Sequence, residues 1–92
     1  MIKDIKLKKV NFRLHSPDAK EVFLVGDFSS WDKSPVKMRK HKDGTFKISV
    51  PLISELFHHY KFKRDGEWIM DPASSRRSMN GYGGHNSVIY VD

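Results

Sequence analysis

Tyr60-Lys61-Phe62-Lys63-Arg64-Asp65-Gly66-Glu67-Trp68-Ile69 spells out a hairpin in one stretch. Aromatic and cationic residues alternate with a period of two up to Arg64, Asp-Gly supplies residues that tolerate positive φ, and an apolar pair follows. A two-residue turn at Asp65-Gly66 pairs Lys63 with Trp68 and Phe62 with Ile69. Tyr60, Phe62 and Ile69 then face a core, while Lys61, Lys63 and Trp68 face outward. A three-residue loop would turn Trp68 inward and leave Ile69 among lysines; the alternation favours the exposed tryptophan.

The same period recurs on both sides of this stretch. Val10, Phe12 and Leu14 alternate with Lys9, Asn11 and Arg13, Val22 and Leu24 with Phe23 and Val25, Phe46, Ile48 and Val50 with Lys47 and Ser49, and Val88 and Tyr90 with Ile89 and Val91. Turn signals fall at Ser16-Pro17-Asp18, Lys33-Ser34-Pro35, Asp43-Gly44, Asp71-Pro72 and Gly81 to Gly84. A spacing of roughly 8 to 20 residues between such signals suits an all-β sandwich of about seven or eight short antiparallel strands. At Asp43-Gly44 a three-residue loop, Lys42-Asp43-Gly44 with Gly44 left-handed, sets Met38 opposite Ile48 and Val36 opposite Val50, all on one face. Ile53-Ser54-Glu55-Leu56 could form a helical turn or two, but Pro51 just before it points to a loop.

The 92 residues make one domain, large enough for its own core and too small to enclose a deep cleft with a second layer. Hydrophobic content of 38%, with 12% aromatic, excludes disorder. With no cysteine there is neither a disulfide nor a thiolate metal site. The basic start, Met1 to Lys9, develops no apolar leader segment, and no run reaches the ~20 apolar residues of a membrane span, so a soluble cytoplasmic protein is expected.

A net charge of +6 raises phosphate binding, through Lys37-Met38-Arg39-Lys40-His41-Lys42 or Arg76-Arg77. Lysines on the outward face of an edge strand also deter edge-to-edge pairing, and Met38 within the first cluster reads as core, so nucleic acid is not the expected partner. Catalysis finds little support. His58-His59 on a strand would point to opposite faces, His15, His41 and His85 fall in separate segments, and Asp43, Asp65 and Asp71 have structural reasons to sit at turns. No metal or cofactor is expected.

Two tryptophans remain where a core has little use for them, Trp31 in the polar loop Asp27-Phe28-Ser29-Ser30-Trp31-Asp32-Lys33 and Trp68 after the second Asp-Gly turn. An indole displayed to solvent is a flat apolar plate suited to a sugar ring or a nucleobase.

Val25-Gly26-Asp27-Phe28-Ser29-Ser30-Trp31, Asp43-Gly44-Thr45-Phe46, Tyr60 to Pro72 and Asn86-Ser87-Val88-Ile89-Tyr90-Val91, in this order and spacing, resemble carbohydrate-binding module family 48. This is the glycogen-binding family found in kinase β subunits, isoamylases and branching enzymes. The resemblance runs over about residues 10–91, consistent with one glycogen-binding-type domain over 1–92. It implies an immunoglobulin-like (early-set) β-sandwich that binds α-1,4-linked glucans and has no activity of its own. Carried over by motif, Trp31 and Trp68 would stack on glucose rings, and Lys61 and Asn86 would bind hydroxyls. Tyr82, in Asn80-Gly81-Tyr82-Gly83-Gly84, would replace a family leucine that reaches into the sugar helix.

The implied partners are an α-glucan polysaccharide or oligosaccharide and a catalytic or kinase-type protein, with no membrane. A shallow site of this kind binds weakly, on the order of tens of micromolar to millimolar, with avidity on branched polymers. Two other readings stay open: a same-family adaptor or regulatory protein-interaction domain without sugar binding, and single-stranded RNA binding through the same plates.

Overall fold

The computed structural model describes residues 5–74, 76–79 and 85–92, with the backbone alone for 77–79. Nine strand segments are present among the described residues: β1 (Leu7–His15), β2 (Val22–Gly26), β3 (Val36–Lys37), β4 (Arg39–Lys40), β5 (Thr45–Ile53), β6 (Leu56–Arg64), β7 (Glu67–Ile69), β8 (Arg77–Met79) and β9 (His85–Val91). They form two antiparallel sheets, one ordered β1-β5-β4 and the other β3-β2-β6-β9-β8, with β7 also paired to β6. β3 and β4 are the two halves of one strand that changes sheet at Met38, so the all-β sandwich has eight strands, as the alternation leads one to expect.

The alternating apolar residues meet between the sheets. Phe12, Leu14 and Phe46 come from the three-stranded sheet, Val22, Leu24, Tyr60, Phe62 and Val91 from the six-stranded one, and each exposes 5% or less of its surface. Burying such side chains is worth about 1.5–3 kcal/mol each, which makes this stripe the main source of stability. Inside it Tyr60 donates to the Asp71 carboxylate at 2.6 Å, and Ser87 Oγ accepts from the Asp71 amide at 2.9 Å, so the polar groups at this depth are partnered. Burial first, and Asp71 second, push the Tyr60 hydroxyl well above the usual tyrosine range.

Both Asp-Gly registers are as read. Phe62 pairs with Ile69 and Lys63 with Trp68 around a two-residue turn, where Asp65 and Gly66 have φ of 47° and 86°. Around the other turn Arg39 pairs with Lys47 and Lys40 with Phe46, which brings Met38 level with Ile48, and Gly44 has φ 85°. Val36 departs from expectation. It pairs with Leu24 rather than facing Val50, because the Met38 amide donates to the Val22 carbonyl at 2.9 Å and passes the strand to the other sheet.

Pro51 lies within β5 opposite Lys9, and the Ile53 to Leu56 stretch after it makes a turn rather than a helix, as expected. β4 has already ended at the level of Pro51, so an edge of β5 is free of any need for a proline N–H. The chain then crosses between sheets on the tight Ser54-Glu55 turn, with Glu55 at φ 65° and its amide donating to the Val91 carbonyl.

Candidate functional site

Along β6 the alternation divides the molecule. His58, Tyr60 and Phe62 point into the sandwich and are buried, while Phe57, His59, Lys61 and Lys63 point outward. Trp68, level with Lys63 on β7, shares this outer face and exposes 47% of its surface. A ring left that open adds little to the core, so its retention beside lysines needs another reason. Lys61 is half-buried opposite Val25.

The segment after β2 folds back over the same face. Two 3-10 turns, Asp27–Ser29 and Trp31–Lys33, follow Gly26, and Ser29 ties them together by donating from Oγ to the carbonyls of Gly26 and Trp31 at 3.1 and 3.2 Å. The Asp27 carboxylate accepts from the His59 amide at 3.0 Å, which fixes the start of the segment to β6. The second turn packs against β2, and Val25, turned toward the Lys61 side, is fully buried. Trp31 is therefore half-buried rather than displayed. It also sits at φ 55°, a left-handed conformation that costs a bulky residue on the order of 1–2 kcal/mol and that tends to persist at functional positions.

One residue joins the two tryptophan segments. Lys63 Nζ lies 5.2 Å from the centroid of the Trp68 ring and 3.1 Å from the Asp32 carboxylate, next to Trp31. A half-exposed pair of this kind contributes under about 1 kcal/mol, but it holds both segments in one arrangement. The alternation alone sets Lys63 outward without marking it for a role. Its pairing directly opposite Trp68 was the available signal.

The remaining expected residues divide. Asn86 precedes Ser87, the partner of Tyr60, and alternation turns it to the Lys61 side, yet only 7% of its surface is open. Tyr82 falls in 80–84, outside the described residues. The structure thus brings Trp68, Lys61, Lys63 and the Trp31 turn to one face, with Asn86 at its floor.

Among the described residues, the turn aspartates and His58 already have structural partners. Asp43 accepts from the Thr45 amide, Asp65 from the Lys20 and Glu21 amides and Asp71 from Tyr60, while His58 bonds the Ile53 carbonyl through Nε2. Among the described residues no cluster of three metal-ligating side chains occurs, and no helix is long and apolar enough to cross a membrane. What the face offers is an open indole beside lysine amines.

Comparison with known proteins gives a consistent set of matches. The sequence model of the family described as carbohydrate-binding module 48 (isoamylase N-terminal domain) matches residues 1–87. The chain is 39% identical over 61 residues to the 1,4-alpha-glucan branching enzyme GlgB of Lactobacillus acidophilus, covering 64% of this chain and 9% of that protein. It is 36% identical over 76 residues to the 5'-AMP-activated protein kinase subunit beta-2 of Mus musculus, covering 83% of this chain and 27% of that subunit. The chain therefore spans about a tenth to about a quarter of these relatives. The crystal structure of the enterobactin esterase FES from Shigella flexneri superposes with a TM-score of 0.75 over 99% of this chain and 31% of that one; at 14% identity this is a likeness of fold.

Proposed function

The chain belongs to the carbohydrate-binding module 48 family, and on that premise we propose that the outer face of its six-stranded sheet binds α-1,4-linked glucans such as glycogen, starch and maltooligosaccharides, without catalysis. The observation that carries this reading is the open Trp68 ring standing on the same face as Lys61 and joined through Lys63 to the Trp31 turn. Trp68 stacks on one sugar ring, and Trp31, presented by a strained turn, meets a second. Lys61 donates to hydroxyls. Asn86 at the floor and Tyr82 complete the set as the family resemblance assigns them. The name of one relative, a 1,4-alpha-glucan branching enzyme, agrees with the glucan class. A protein partner of catalytic or kinase type and a cytoplasmic setting belong to the same proposal.

The test is a titration with maltoheptaose followed by tryptophan fluorescence. Binding in the micromolar to millimolar range is expected and should persist at high salt, because stacking and neutral hydroxyl contacts are not screened. Trp68→Ala should remove most of the affinity, at least tenfold, while the melting temperature changes little. Lys61→Ala should cost about a hydrogen bond, ~1 kcal/mol. A wild-type protein that shows no response at millimolar sugar sinks the reading.

A further inference from the structure

The outer face of the three-stranded sheet carries an arrangement that folding alone disfavours. Arg13 on β1 is paired with Lys47 on β5, and Lys47 is paired in turn with Arg39 on β4, so three cations stand directly opposite one another across three strands. All three are exposed, with Phe12, Leu14 and Phe46 on the reverse side in the core. Like charges in direct cross-strand pairs are destabilising, and a carboxylate at the central position would have been the stabilising choice.

Among the described residues, no carboxylate stands in the cross-strand pairs of the row. Arg13, Lys47 and Arg39 form no ion pair among the described residues. The neighbouring cross-strand pairs are Lys9 with Pro51, Asn11 with Ser49 and His15 with Thr45, none of them acidic. Asp43 in the adjoining turn is the nearby carboxylate; it feels Lys47 and His15 but is committed first to the Thr45 amide and hydroxyl. Lys40, by contrast, is already used, donating to the Pro17 and Ala19 carbonyls. A groove crosses the face, lined by the cationic Arg13, Lys37, Arg39 and Lys47 together with the apolar Met38 and Ile48.

We propose that this groove, with the Arg13-Lys47-Arg39 row as its centre, is a docking site for an acidic, extended segment of a partner protein. Complementary charge selects an anion, and the three positions, about 4.8 Å apart from strand to strand, form a row that a chain lying across the sheet would follow. Among the described residues the row has no exposed aromatic plate on which bases could stack, which disfavours single-stranded nucleic acid. Along the same face, roughly 20 Å from Arg13 at ~3.4 Å per residue, the exposed Leu7-Ile53 pair gives a protein an apolar contact that a phosphate backbone would not use. The cations line a depression, which an extended chain enters more readily than a bilayer surface does. The module would then hold a glucan on one sheet and an acidic protein on the other, each independent of the other.

Fluorescence anisotropy with a labelled oligoglutamate peptide tests this on the wild-type chain and on the double variant Arg13→Glu/Arg39→Glu. The wild type should bind in low salt and lose affinity steeply as salt is raised, and the variant should bind at least tenfold more weakly. The same double substitution should raise the melting temperature, since it converts two like-charged pairs into opposite-charged ones; that rise also shows that lost binding is not lost folding. Equal peptide binding by variant and wild type overturns the proposal, as does a lack of peptide binding at low salt or a fall in melting temperature. Tighter wild-type binding to phosphatidylserine vesicles or to an oligonucleotide than to the peptide overturns the choice of partner. None of these readouts uses sugar, so the glucan reading stands or falls separately.

Discussion

The Asp43-Gly44 and Asp65-Gly66 hairpins begin from the same dipeptide and end as different loops. In the first, the His41 amide donates to the Thr45 carbonyl and leaves three residues in the loop; in the second, Arg64 pairs with Glu67 and leaves two. The glycines share the left-handed conformation, at φ 85° and 86°, but not their surroundings. A β-carbon on Gly44 would sit 2.6 Å from the Pro17 ring and 2.7 Å from its Cα, whereas one on Gly66 would meet nothing within 4 Å. The first turn is wedged into the sandwich end. The second projects into solvent and serves to hold Trp68 level with Lys63. One dipeptide thus marks where a chain reverses, and the flanking alternation decides the register and what the reversal is for.

The sharpest break in this comparison should come from substituting each glycine by alanine. Gly44→Ala incurs the left-handed penalty and a collision with Pro17 backbone that cannot relax through a flexible side chain, so a loss of about 2–4 kcal/mol is expected. For a domain of this size that corresponds to a drop of at least about 10 °C in melting temperature. Gly66→Ala carries the conformational penalty alone, on the order of 1–2 kcal/mol, and should leave the maltoheptaose response in place at low temperature. Equal losses for the two variants would show that the contact with Pro17 does not matter.

A smaller effect should follow from inserting one glycine after Gly66, which gives the second hairpin the loop length of the first. If the buried Phe62-Ile69 pair fixes the register, the extra residue is absorbed in the loop, at under about 1 kcal/mol, and Trp68 stays outside. Thermal melts and the tryptophan response to maltoheptaose check both halves of this expectation. A lost response in a folded protein would mean that the two-residue turn, not the core, holds Trp68 in place.

The same contrast explains how much of the molecule was legible. Period two, Asp-Gly and the inward Phe62 and Ile69 are local signals, and they led to the right strands, registers and face for Lys61 and Trp68. The transfer of the Val36–Lys40 stretch between sheets at Met38 was not readable, because Val36 turns to the core in either sheet and the deciding bond, from Met38 to Val22, joins residues distant in sequence. Nor could the pattern show that Trp31 sits half-buried at positive φ, since the turn owes its place to Ser29, Asp27 and the packing on β2. Asn86 was singled out as a hydroxyl ligand by resemblance and lies nearly closed to solvent, a depth that a motif does not encode.

The two aspartates carry the comparison to its finest level. Asp43 accepts from the Thr45 amide within its own loop, whereas Asp65 accepts from the Glu21 amide at 2.9 Å and the Lys20 amide at 3.0 Å, tying its hairpin to the distant β1–β2 connection. These amide donors are the first cause that holds each carboxyl below the ordinary value of 3.8. With the folded pKa below the unfolded one, the unfolded chain takes up the proton first. The stabilisation is then complete above the ordinary carboxyl range and is lost as pH falls through the folded-state pKa. Melting temperatures measured from neutral pH into strong acid should therefore fall less steeply for Asp43→Asn and Asp65→Asn than for the wild type. The flattening should be larger for Asp65→Asn, because protonating Asp65 weakens a tie between two segments while protonating Asp43 loosens one that the Gly44 amide, donating to the His41 carbonyl, still supports. Identical acid slopes for Asp65→Asn and the wild type would show that the turn does not depend on that charge for its anchorage.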